Sequence, residues 1–161
     1  MPKVRSKPET KTVKNKSRVD VQVMQPGKYE VPQDATFEVV LYLRPHGNRW
    51  QVMEGPGKGV IDERVVFRMW RYDEAVELRK KATIYDRLRR MHIVDHDALN
   101  RLKIQKYLLS WTLDRDNPRL KLHRVNEALT DESWTMFSKN LYPNITSKII
   151  DEMNKVLEAN G

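Results

Sequence analysis

The feature that most constrains this chain is a change of hydrophobic period at Tyr72. Before it, Phe37, Val39, Leu41 and Leu43 alternate with Glu38, Val40, Tyr42 and Arg44, one face apolar and the other mixed. That period of two is the signature of a strand buried on one side. After it, Ala75, Leu78, Ala82, Tyr85 and Leu88 fall on one helical stripe, with Asp73 and Glu74 suited to the first turn. Strands in one stretch followed by helices in the next predict an α+β fold.

The strand stretch is short. Pro45-His46-Gly47-Asn48 is a turn by composition, Arg49 to Met53 a return strand, and Arg64 to Met69 a third strand beyond a hairpin loop at Gly55–Gly59. A small antiparallel unit of this size cannot bury two faces, so it must pack on the helices or on another subunit.

The helical stretch is predicted to hold about four helices. The first carries Arg79, Lys80, Arg87 and Arg90 on the face opposite its apolar stripe, and His92 to Asp95 breaks it. Asp95 or Asp97 caps a second helix running to about Trp111 through Leu99, Leu102 and Leu109. After the polar turn Asp114–Pro118, Leu120 and Leu122 alternate in an extended piece, and Thr130 caps a third helix to about Leu141. The last helix places Ile145, Ile149, Met153 and Leu157 on one face. Trp111 and Trp134, each framed as Ser-Trp-Thr, are expected to anchor this domain as core.

Ahead of both lies a stretch of different character. Lys3, Arg5, Lys7, Lys11, Lys14, Lys16 and Arg18 face only Glu9 in the first eighteen residues. Pro2, Pro8, Pro26 and Pro32 interrupt any helical or strand period, and Val19, Val21 and Val23 alternate as a strand added to a neighbour would. The organisation predicted is an extended basic arm over 1–35, a β unit over 36–70 and a helical domain over 71–161. A formal charge of +8 concentrated in an arm calls for an anionic partner, either an acidic protein surface or nucleic acid.

Catalytic and metal chemistry find little support. There is no cysteine, hence no thiolate ligand or thiol nucleophile. Gly55-Pro56-Gly57-Lys58-Gly59 lacks the hydroxyl residue and the following helix of a phosphate loop. His92 and His96 have no obvious third ligand for zinc, and Asp114, Asp116 and Asn117 lack the glycine and terminal glutamate of a calcium loop. No serine, histidine and carboxylate set can be nominated, so the expectation is a non-enzymatic protein with no cofactor, metal or small-molecule substrate. No apolar run approaches the roughly 20 residues that span a bilayer, so no membrane partner is expected.

Residues 98–160 resemble small tail-morphogenesis proteins of tailed bacteriophages, a group that includes tail assembly chaperones and baseplate-associated proteins. The resemblance is carried by Ala98-Leu99-Asn100-Arg101-Leu102-Lys103, Ser110-Trp111-Thr112, the Leu129-Thr130-Asp131-Glu132 helix entry and Ile149-Ile150-Asp151-Glu152-Met153. The basic arm and β unit depart from the short acidic N-termini expected of a chaperone, which points to a component retained in the particle. The resemblance implies a structural or assembly protein of the virion, put together in the host cytoplasm, whose partners are other protein subunits. The alternative is a nucleic-acid-binding module gripping phosphates through the arm and the basic helix.

Overall fold

A computed structural model describes residues 29–160 of the chain. The fold is α+β: a small antiparallel sheet and four helices. Lys3, Arg5, Lys7, Lys11, Lys14, Lys16, Arg18, Val19, Val21 and Val23 lie outside the described residues.

The sheet is built on β1 (Thr36–His46), whose alternating residues Val39, Leu41 and Leu43 are buried as the period of two requires. A two-residue turn at Gly47-Asn48, with Gly47 at φ +64, returns the chain as β2 (Arg49–Met53). β3 (Ile61–Arg68) pairs with the other side of β1, stacking Phe67 on Phe37 with ring centroids 5.2 Å apart. The Gly55–Gly59 loop therefore closes no hairpin. It carries the chain from one side of β1 to the other, because β2 and β3 run in the same direction along opposite edges of that strand.

Two stretches expected to be helical are strands instead. Helix α1 (Tyr72–Lys81) stops one turn after Leu78, and the chain continues as a second hairpin, β4 (Thr83–Asp86) and β5 (Met91–Val94). Tyr85 and Leu88, expected on a buried stripe, are exposed instead. Helix α2 (His96–Tyr107) is capped by the Asp95 carboxylate, which accepts hydrogen bonds from the Asp97 and Ala98 amides. It ends four residues before Trp111, and Leu108–Trp111 forms β6 at the edge of the main sheet, giving the order β2-β1-β3-β6. Pairing slips between Val66 and Phe67, so Leu109 is an extra residue on β6. Through that bulge Leu108 and Trp111, three apart, both turn to the core.

A short turn at Pro118–Leu120 leads to a tight ribbon, β7 (Arg124–Val125) and β8 (Ala128–Leu129). Thr130 caps α3 (Asp131–Thr135), which widens into one π turn over Met136–Asn140. The Phe137 carbonyl in that turn accepts the Thr146 hydroxyl at 3.0 Å. Pro143 opens α4 (Pro143–Asn160), a position where its missing N–H costs nothing. Ile145, Ile149, Met153 and Leu157 of α4 are buried against the sheet and the other helices in one continuous core.

Trp111 is buried, donates from its indole to the Leu120 carbonyl at 2.8 Å and stacks on Phe137. Trp134 is only half-buried, with the Arg101 guanidinium over its ring. The deepest tryptophan is Trp70, two residues beyond β3. Its indole donates to the Leu157 carbonyl at 3.1 Å, and its ring meets Tyr107 edge-on.

Candidate interface

Residues 79–94 carry six Lys and Arg against a single Asp, within residues 29–161 that hold twenty-two basic against twenty acidic residues. Elsewhere most arginines are engaged. Arg64 pairs with Glu38, Arg115 with Glu63, and Arg68 with Glu74 through both guanidinium nitrogens at 2.9 and 3.3 Å. Arg79, an expected partner-binding residue, is also committed: it pairs with Glu158 at 2.8 Å and lies over the Trp70 ring. Lys80, Lys81, Arg87 and Arg90 differ. Among the described residues no carboxylate lies within 4 Å of any of them.

These four flank one hairpin, Lys80 and Lys81 at its root and Arg87 and Arg90 in its loop. Lys80 and Lys81 end α1, and the Thr83 hydroxyl donates to the Arg79 carbonyl at 2.6 Å, so β4 grows from the last helical turn. The Asp95 amide donates to the Ala82 carbonyl at 2.8 Å, clamping the far end of β5 to the same point. Beyond that base the hairpin packs on no other element to a substantial degree among the described residues.

Its tip is shaped by Asp86. One carboxylate oxygen accepts the amides of Leu88 and Arg89, and the other the Arg89 guanidinium at 3.2 Å, an Asx turn that uses up the only acid present. Arg90 closes the loop at φ +55. Leu88 stands at the apex, 96% exposed, flanked by Arg87, Arg89 and Arg90. Along the strands Tyr85 sits edge-on to His92 at 5.2 Å, and Ile84 and Met91 are about half exposed.

Of the described site residues predicted from sequence, Lys80, Arg87 and Arg90 belong to this hairpin and its root, and Arg79 is held back by Glu158. They do not share a helical face, since Arg87 and Arg90 are in the hairpin loop. The missed signal was composition: Thr83-Ile84-Tyr85 and Ile93-Val94 are β-formers on either side of a loop that starts with Asp. His92 and His96 sit on different elements, a strand and a helix, and no cluster of three metal-binding side chains occurs among the described residues.

No family model matches the chain, and no curated protein or solved structure matches it.

Two further clusters were also hidden from sequence reasoning, and both hold the frame in which the hairpin stands. Lys103 is buried, donating to Asn154 and Glu158 at 2.8 Å each, with its ammonium 4.9 Å from the Trp70 ring centre. Burial tends to raise the Glu158 carboxyl, but Lys103 and Arg79 outweigh it and hold it below the ordinary carboxylate value. Arg124 reaches from β7 to the Leu108 and Lys106 carbonyls, covering the C-terminal end of α2. Burial, then the nearby Arg68 charge, lowers the Arg124 pKa.

Proposed function

We propose that this chain is a non-enzymatic structural or assembly protein of a tailed-phage particle, in capsid, connector or tail. Its basic arm binds neighbouring subunits, and the folded body is the platform from which the arm extends. The observation that carries this reading is the segregation of charge. Residues 1–28 hold eight Lys and Arg against two Asp and Glu, while the remainder is close to balance at twenty-two against twenty. Charge of that kind steers the chain toward an acidic surface outside the body and selects against basic ones. The resemblance of residues 98–160 to tail-morphogenesis proteins supplies the setting: a virion component, assembled in the host cytoplasm among other protein subunits.

The test is deletion of residues 1–30. The shortened chain is expected to keep its circular dichroism spectrum and thermal transition but to be missing from purified particles. Particles that incorporate it at the wild-type level would rule the proposal out.

A further inference from the structure

We infer that the β4–β5 hairpin is a binding element for duplex DNA, with its arginine-rich tip entering the major groove. The inference is independent of the phage assignment, and it replaces the basic helix face that the sequence implied with a different surface.

Three observations carry it. Charge is the first. Lys80, Lys81, Arg87 and Arg90 lack carboxylate partners among the described residues and are concentrated in one short stretch that holds a single acid, so the hairpin and its root present uncompensated positive charge to a polyanion. Shape is the second. A two-stranded ribbon fits the major groove of B-form DNA, and four residues per strand extend about 14 Å, beyond the groove's depth of roughly 8.5 Å. The hairpin is held at its base, where Val94 packs on the core, and its exposed outer half projects from there.

Chemistry at the tip is the third. Arginine forks match both phosphate oxygens and the guanine edge, and an apolar apex such as Leu88 can meet a thymine methyl. Asp86, the only acid in the hairpin, is turned inward on the Leu88 and Arg89 amides and so does not oppose a phosphate. The Arg79 and Glu158 side chains satisfy each other at the hairpin's root.

The experiment compares three full-length proteins by fluorescence anisotropy: wild type, a tip variant and a charge-matched control. The tip variant is Lys80→Gln, Arg87→Gln and Arg90→Asn, the last because asparagine tolerates the positive φ at that position. The control is Arg119→Gln, Lys121→Gln and Lys139→Gln, three exposed residues on other elements that also lack carboxylate partners among the described residues. Probes are a mixed-sequence 24-base-pair DNA duplex and its RNA counterpart, titrated across a salt series.

The tip variant is expected to bind the DNA duplex about tenfold or more weakly, with a salt slope smaller by roughly 3, while the control stays near wild type. On the RNA duplex the tip substitutions should matter little, because the A-form major groove is too narrow for the ribbon. Equal losses in tip variant and control would reduce the effect to net charge and overturn the inference. So would equal losses on DNA and RNA, or a wild type that binds no duplex at 50 mM salt; that last result would turn the hairpin toward an acidic protein. All three proteins are compared by thermal unfolding, and the exposed substitutions should leave it unchanged.

Discussion

Lys103 shows at the scale of one residue how a charged group can be part of a core. Its stem is buried, and its ammonium lies over the Trp70 ring and is satisfied by Asn154 and Glu158, so its removal has two separable consequences. Lys103→Ala deletes the stem and leaves a cavity, and should destabilise the protein by about 2–4 kcal/mol. Lys103→Met keeps the stem, and Glu158 still has Arg79 and water, so its cost should be about 1 kcal/mol or less; urea titration of both variants checks the contrast. At the β7–β8 turn Asn126 and Glu127 both have positive φ, a conformation that glycine adopts without a Cβ penalty. The Glu127 carbonyl, which accepts from Arg124, survives substitution, so Glu127→Gly should stabilise by about 0.5 kcal/mol. A lowered urea midpoint for this variant would show that the glutamate side chain contributes something the hydrogen bonds do not reveal.

At the scale of elements, Glu74 joins three of them. From α1 it receives both nitrogens of Arg68 on β3, the Tyr107 hydroxyl of α2 and the Arg71 amide. Burial pushes its carboxyl up, but the Arg68 hydrogen bond, the Arg71 amide and the charges of Arg68 and Lys106 together hold it below the ordinary value of 4.5. Tyr107 is driven the other way, raised chiefly by burial and then by the Glu74 charge. A depressed carboxylate stabilises the fold at pH above its unfolded value, and that contribution is lost as pH falls through the folded value. Wild-type stability should therefore drop as pH falls below the ordinary carboxylate value of 4.5, and Glu74→Gln should be less stable at neutral pH but show a shallower acid drop. Parallel pH profiles for the two proteins would remove Glu74 from the acid response. The same scale explains what the sequence could and could not tell. β1, β2 and the face of α4 were legible, because each repeats one period over its whole length. The β4–β5 hairpin, β6 and the β7–β8 ribbon were not. Ala82, Tyr85 and Leu88 are three apart and imitate a helical stripe, though only Ala82 is buried. Leu108 and Trp111 have the same spacing, but there a bulge in β6 turns both inward. The candidate interface was legible as a set of basic residues and hidden as a shape, since Arg87 and Arg90 stand on a hairpin tip, with Lys80 at its root, only because the helix stops at Lys81.

At the scale of the whole molecule, one core runs from β1 through β6 to the end of α4, although sequence reasoning divides these stretches into two domains. Trp70 meets the Leu157 carbonyl, the Tyr142 hydroxyl donates to the Asn48 carbonyl at 3.1 Å, and the Asn144 amide donates to the Trp50 carbonyl at 2.9 Å. Urea unfolding followed by tryptophan fluorescence and by far-ultraviolet circular dichroism should therefore give coincident transitions. Two resolved transitions would establish separately stable units. Those long-range contacts also set a timetable. β3 gains its outer neighbour only when Trp111 has been made, and Trp70 finds its acceptor only when Leu157 has. At ordinary rates of translation the interval between Phe67 and Leu157 is on the order of ten seconds. During that interval the growing chain carries Val65 and Phe67 on a strand with an open edge, a template for joining another unfinished copy. Crowding of nascent chains on one message, rather than any weakness of the finished fold, is then the step at which this protein is most exposed to aggregation.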